Sequence, residues 1–303
     1  MKIVSFLCML VLTAFAERGE AKMQLAKNGH TDYVIITQAG ATPAELHAAK
    51  ELAQHLHTIT GADFPIREAA NAPSKAIVIG QGAVTRRCFP TVDLSAFGQE
   101  QLVIRTEGKR LLLAGGRPRG TLYAVMRFLA TQCGVRWWTA WASQLPHTPN
   151  LTLPTLNRVE QPAFESRDPY WFVSGNTDWA VHNLITGQRP YLDETHGGGI
   201  RYKGFVHTFF PLVPPEKYFS KHPEWYSLIK GKRVYEGAQL CTTNPELRDF
   251  LVEQVKASLK ESPEASILSV SQNDWFNPCE CESCKALDDE EGSHAGTMLA
   301  LVN

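Results

Sequence analysis

An α/β architecture in two parts is what the 303 residues predict. Three observations carry that reading. Residues 23–157 mix short apolar runs with two amphipathic helical stretches, residues 160–303 repeat the order of a short apolar run followed by a helical stretch, and a Pro-rich segment lies between them.

The chain opens with Met1 and Lys2, then an apolar run from Ile3 that leaves through Ala14-Phe15-Ala16 into the charged Glu17 and Arg18. A positive start, a short greasy core and a small-residue exit describe a secretory signal peptide over residues 1–16. The run is too short to span a bilayer. The expectation is an exported protein, periplasmic or extracellular, with no membrane span after signal removal. At the other end, the apolar helical series Met298, Leu299, Leu301 and Val302 stops at Asn303 without a capping glycine, so the sequence reads as truncated. Lys and Arg number 30 against 31 for Asp and Glu. Without a basic stripe to neutralise phosphates, nucleic acid is excluded as a partner.

In the first domain, residues 23–157, Asp32 to Thr37 reads as a strand. Thr42-Pro43 opens a helix with Leu46, Ala49, Leu52, Ala53, Leu56 and Ile59 at three- and four-residue spacing, and Gly61 closes it. Ala76 to Ile79 is a second strand. Leu102 to Arg105 and Arg110 to Ala114 form a hairpin, and a second helix runs from about Arg119 to Gln132. Helices on one side of a small mixed sheet follow from this order. Gly115, Gly116 and Gly120 precede that helix but lack the Lys-Ser/Thr of a phosphate loop, so tight turns explain them better than a nucleotide does. Trp137, Trp138 and Trp141 are expected to be a buried seam. Ser143 to Pro162, with Pro146, Pro149, Pro154 and Pro162, is the linker.

The second domain, residues 160–303, allows four β-then-α units. Their strands are expected at Phe164–Trp171, Phe205–Phe210, Gln239–Cys241 and Ile267–Ser271, with Asn244-Pro245 capping a helix that buries Leu247, Phe250, Leu251, Val255 and Leu259. Such alternation implies a parallel sheet, and the length suffices for the first half of a (β/α)8 barrel. Working groups in barrels sit at the C-terminal strand ends. That rule singles out Arg167 and Asp168, His207, Thr242 or Asn244, and Gln272, Asn273 and Asp274.

The stretches Glu51–Ile66 and Leu111–Thr139, with the Gly134-Val135-Arg136-Trp137-Trp138 exit, resemble the accessory domain that precedes the barrel in β-hexosaminidases and bacterial α-glucuronidases. The stretches His207–Arg233, Gln239–Leu251 and Ser269–Leu287 resemble a bacterial family of exported glycoside-hydrolase-like proteins, formerly a domain of unknown function, some of whose members are endo-β-N-acetylglucosaminidases. The resemblance implies a hydrolase of N-acetylglucosamine-containing glycans, with a glycan or glycoprotein substrate and no cofactor required for catalysis. Its mechanism is retaining and substrate-assisted, the acetamido oxygen serving as nucleophile. Asn273 and Asp274 stand where those hexosaminidases carry adjacent acidic residues, and Asn cannot donate a proton. Arg167 resembles the arginine that grips sugar hydroxyls, and His207 a second-strand site residue. Gln272 and Trp275 complete the candidate sugar contacts, Trp275 by stacking on a pyranose face. An α-glucuronidase or a non-catalytic carbohydrate-binding protein are the alternatives.

The cysteine pattern stands apart from any family. Cys279, Cys281 and Cys284 can take three corners of a zinc tetrahedron, with Cys241 or His294 as the fourth. A structural zinc is the first expectation; a Cys281–Cys284 or Cys241-linked disulfide, toward which the export signal argues, and free thiols are the alternatives, and all three serve loop rigidity.

Overall fold

A computed structural model describes residues 22–303; the segment expected as a signal peptide lies outside them. The chain divides into two compact units. Residues up to Ala163, with Val181–Leu184 and Leu192–Gly198, form the first, and Phe164–Ala180, Ile185–Tyr191 and Gly199–Asn303 form the second. No helix among the described residues is long and apolar enough to cross a membrane.

The first unit is built on β1 (Val34–Thr37), α1 (Pro43–Thr60), β2 (Ile66–Glu68), β3 (Ala76–Ile79), β4 (Leu102–Glu107), β5 (Arg110–Gly115), α2 (Gly120–Gln132) and β6 (Asn157–Glu160). Six strands form one sheet in the order β6-β4-β5-β3-β1-β2. Ile35 pairs with Ile77 and Ile77 with Leu111 in parallel, and the β4–β5 hairpin adds an antiparallel edge. Every residue of β1 and β3 is buried, which explains apolar runs without polar alternation: both faces of these strands are covered. Val34, Ile36, Val78, Val103 and Leu112 pack on one face against Val84, Phe89 and Leu94. The intervening residues point to the other face, where α1 and α2 lie.

Helix α1 begins with a capping box. Thr42 Oγ1 accepts from Glu45 N at 3.2 Å, and Glu45 Oε2 accepts from Thr42 N at 2.8 Å. Leu46 is exposed, so the buried stripe runs instead through Ala48, Ala49, Leu52, Leu56 and Ile59. The three glycines before α2 serve close packing. A Cβ on Gly116 would lie 1.8 Å from the Gly98 carbonyl oxygen, and one on Gly120 would lie 2.4 Å from that of Gln101.

Trp137 is buried, but Trp138 and Trp141 are exposed, so the tryptophans do not form one buried group. Trp137 stacks on His182 with centroids 4.7 Å apart and donates from Nε1 to His55 Nε2 at 3.3 Å. His55 Nδ1 donates to the Glu51 carbonyl at 2.8 Å, and Glu51 Oε2 pairs with His182 Nε2 at 2.8 Å. Burial pushes His55 below its ordinary 6.5. Burial pushes Glu51 up, yet the hydrogen bond and charge of His182 outweigh it and hold Glu51 below its ordinary 4.5.

The second unit has far less regular structure than the four expected β-then-α units. Its strands are β7 (Tyr202–Lys203), β8 (Leu228–Ile229), β9 (Lys232–Arg233) and β10 (Ile267–Leu268), each two residues long. β7 and β10 run parallel with Tyr202 opposite Ile267. Phe164–Trp171 is not a strand. Asp168 Oδ1 accepts from Tyr170 N at 2.8 Å, turning the chain, and Tyr170 takes a φ of 53°. The strand expected at Phe205–Phe210 lies three residues earlier, because Gly204 at φ 60° ends it and a short helix starts at Phe209. Gln239–Cys241 makes only an isolated bridge, Leu240 to Tyr226. The helices α3 (Pro245–Glu261), α4 (Glu282–Glu291) and α5 (Ala295–Val302) follow. Asn244 Oδ1 caps α3 by accepting from Leu247 N at 3.0 Å. Only Leu247 and Leu251 of α3 are buried; Phe250 is half-buried and Leu259 exposed. Phe209, Val213, Trp225, Tyr226 and Leu240 complete that core.

Gly116→Ala is expected to destabilise the first unit by about 3 kcal/mol, since the new methyl meets the Phe97 and Gly98 carbonyls; a urea midpoint equal to wild type would contradict this. The folded pKa of both His55 and Glu51 lies below the ordinary value, so the unfolded chain binds protons more readily and stability falls as pH drops. Thermal midpoints are expected to decline below pH 6.5 and more steeply below 4.5. Glu51→Gln flattens the lower part of that curve, whereas equal slopes in both proteins would exclude the pair as its source.

Candidate functional site

Beyond β10 the chain enters no ladder through Ser271–Trp275, and side chains supply its pairing. Thr208 Oγ1 donates to Ser269 O at 2.9 Å and accepts from Ser271 N at 2.8 Å, while Phe209 N donates to Ser271 O at 3.0 Å. Gln239 grips the next residue like a neighbouring strand: Oε1 accepts from Asn273 N at 2.8 Å and Nε2 donates to Asn273 O at 3.0 Å. Asn273 answers from its own side chain, Nδ2 donating to Ala238 O at 3.0 Å and Oδ1 accepting from Phe210 N at 3.3 Å.

Asn273 is therefore buried, with its amide committed to backbone groups. The expectation that it faces substrate is replaced by a positioning role. The chain bends at Asp274, whose side chain lies in solvent, 89% exposed.

Asp274 meets His207 there. His207 adopts φ 55°, and its Nδ1 lies 3.0 Å from the Gln272 carbonyl oxygen. A carbonyl only accepts, so Nδ1 carries the proton and Nε2 faces outward. Nε2 stands 4.0 Å from Asp274 Oδ2. Trp275 and Phe276 are exposed beside this pair, 56% and 92% respectively. A cleft of about 140 Å³ is lined by Gln272, Trp275, Phe276, Gln239, Thr242 and His294. His207, Gln272, Asp274 and Trp275 thus share one rim.

Arg167 lies on the Phe164–Asp168 segment. Its guanidinium donates to the carbonyls of Phe164 and Glu165, and its own carbonyl accepts from Thr186 N and Gly187 N, both at 3.0 Å. Asp168 Oδ2 accepts from Arg189 N at 3.2 Å, so this acid organises the loop.

The sulfur cluster assembles behind the rim. Cys241, Cys279, Cys281 and Cys284 bring their Sγ atoms within 4.8 Å of one another. Cys241 Sγ stands 3.6 Å from that of Cys281 and 3.9 Å from that of Cys284. His294 pairs instead with Asp288 at 2.7 Å, which leaves Cys241 as the fourth member. Leu228 N donates to Cys279 Sγ at 3.3 Å and Arg233 Nη1 at 3.7 Å. Hydrogen bonds from Cys279 and Cys284 draw the Cys241 thiol far below the usual range. The same contacts raise Cys279, and Cys284 is pushed up to about 11, chiefly by its bond with Cys241.

Sequence reasoning missed Thr208, Gln239 and Arg233 as positioning residues. The signal for Gln239 was a long amide entering an apolar stretch; a lone Thr or Arg carries none.

The model of a family described as a domain of unknown function, DUF4838, matches residues 137–303, more than half of the chain. Among solved structures, the GH115 4-O-methyl-α-glucuronidase BtGH115A, which has specificity for decorated arabinogalactans, matches at 12% identity and a TM-score of 0.48. The match covers 92% of this chain but 40% of that structure, so this chain spans about two fifths of its length. No curated protein matches.

Asn273→Ala is expected to destabilise the second unit by about 3 kcal/mol, because the Ala238 carbonyl and Phe210 amide lose their partner where water cannot replace it fully. The Phe210 amide should also exchange its hydrogen faster. An unchanged denaturation midpoint with unchanged exchange would show that Asn273 does not hold this segment.

Proposed function

The chain belongs to the DUF4838 family, whose description leaves its function open, and we propose that it is an exported glycoside hydrolase acting on N-acetylglucosamine-containing glycans. The observation that supports this most is the rim itself. An imidazole nitrogen and a carboxylate oxygen stand 4.0 Å apart and largely in solvent, beside an exposed tryptophan face, on a segment whose backbone is tied from both sides. With the proton on Nδ1, Nε2 and the carboxylate are both acceptors, so they can take hydrogen bonds from two different O–H or N–H donors of one sugar. The indole supplies the flat apolar surface on which a pyranose ring stacks.

In substrate-assisted hydrolysis the acetamido oxygen bonds to the anomeric carbon as the glycosidic C–O bond breaks, and water later opens that ring with net retention. The protein must orient the acetamido group and supply a proton to the departing oxygen. Asp274 takes the first task by accepting the acetamido N–H, with His207 beside it as a second acceptor for a sugar hydroxyl. A second carboxyl group takes the other. The sequence resemblance of His207–Arg233 and Ser269–Leu287 to exported glycoside-hydrolase-like proteins supports the substrate class, and the chemistry does not call for a cofactor.

The test uses the full-length protein that carries this chain and an N-glycosylated glycoprotein. Release of reducing sugar is expected, with kcat about 100-fold lower in Asp274→Ala. KM should rise in Trp275→Ala. Unchanged rates in Asp274→Ala would remove this rim from catalysis, and glycan binding without release would identify a carbohydrate-binding protein instead.

A further inference from the structure

Cys241 and the Cys279–Cys284 stretch converge from two separate parts of the chain, and all four cysteines are buried or half-buried. The Cys241 sulfur lies 3.6 and 3.9 Å from those of Cys281 and Cys284, far from the roughly 2.05 Å of a disulfide. These separations match a different object. Sulfurs bonded to zinc at about 2.3 Å occupy tetrahedron corners about 3.8 Å apart. We propose that these four cysteines bind one zinc ion as a closed tetrathiolate that braces the second unit.

The surroundings fit that ion. Four thiolates around a divalent cation leave excess negative charge, and donors meet it: Leu228 N–H at 3.3 Å and the Arg233 guanidinium at 3.7 Å, both on Cys279. Cys281 is the N-cap of α4, and Cys284 lies in its first turn. Unpaired N–H groups and the helix dipole favour thiolates there. Thr243 Oγ1 stands 3.1 Å from Cys284 Sγ. On binding, each ligating thiol gives its proton to solvent.

Protein sulfur fills all four corners, so no position remains for water or substrate and the role is structural. Among the described residues two other groups of potential ligands occur; His222, Glu224 and Glu246 are partly exposed, and Glu51, His55 and His182 are already paired. The ring nitrogens and carboxylate of this last group bond one another, Trp137 and a backbone carbonyl.

The ion would join the segments that form the rim. Cys241 lies two residues past Gln239, whose amide holds Asn273. Cys279 lies four residues past Trp275 and ties to the β8–β9 hairpin through Leu228. The metal thus closes a circuit from the clamp, through the hairpin, to the loop that follows Trp275. This inference is independent of the glycosidase reading, since a brace of this kind stands whether or not the rim cuts sugar.

The test is metal analysis of the purified full-length protein by mass spectrometry. One zinc per chain is expected, falling at least tenfold in Cys279→Ser and Cys284→Ser and unchanged in Cys88→Ser. Because the ligand variants can misfold, the wild type exchanged with cobalt gives a second readout. Intense visible bands of tetrahedral cobalt with thiolate charge transfer in the near ultraviolet are expected. Zinc-free protein with these four thiols oxidised to disulfides would overturn the proposal, as would cobalt bound with the weak spectrum of oxygen ligands.

Discussion

The second unit depends on a pair of buried side-chain amides. Its strands are two residues long, so the backbone groups beyond them have no ladder to enter. Buried N–H and C=O groups must nonetheless be paired. Gln239 and Asn273 do this reciprocally, each amide bonding backbone on the opposite segment. A single such bond adds about 1 kcal/mol net, but an unmet buried partner costs about 1–3 kcal/mol. The clamp therefore specifies the register of the Ser271–Trp275 segment. Asn273 is thereby fixed inward, and Asp274, at the bend that follows, stands in solvent beside it.

The sulfur cluster and the amide clamp work on the same piece of chain from its two ends. Gln239 and Cys241 are nearly adjacent in sequence, one holding the start of the Asn273–Trp275 segment and the other meeting the cysteines that follow it. Between them Trp275 and Phe276 keep large apolar surfaces in water, an arrangement that packing alone would not maintain. A stiff support at both ends allows those rings to stay presented instead of collapsing onto the core.

The first unit was largely legible in the sequence because its local signals agree. The runs at Val34–Thr37 and Ala76–Ile79 are buried on both faces, Thr42 and Pro43 announce the helix start, and Gly61 ends it. The second unit misled where aromatic richness stood in for periodicity. Phe164–Trp171 and Phe205–Phe210 contain β-prone residues, but Asp168 turns one and Gly204 breaks the other. Cysteine spacing pointed to a shared site, yet only coordinates could choose Cys241 over His294. Asn273 was expected at the site together with Asp274 for a simple reason: adjacent polar residues cannot be assigned to buried and exposed positions until their partners are known, and Gln239 lies 34 positions away.

The most direct test of the account is an experimental structure of the full-length protein with N,N′-diacetylchitobiose bound. A pyranose ring lying over Trp275, with its acetamido N–H on the Asp274 carboxylate and His207 still bonded to the Gln272 carbonyl, is the predicted result. Sugar bound elsewhere, with the Asp274 side chain turned away from it, would contradict the account.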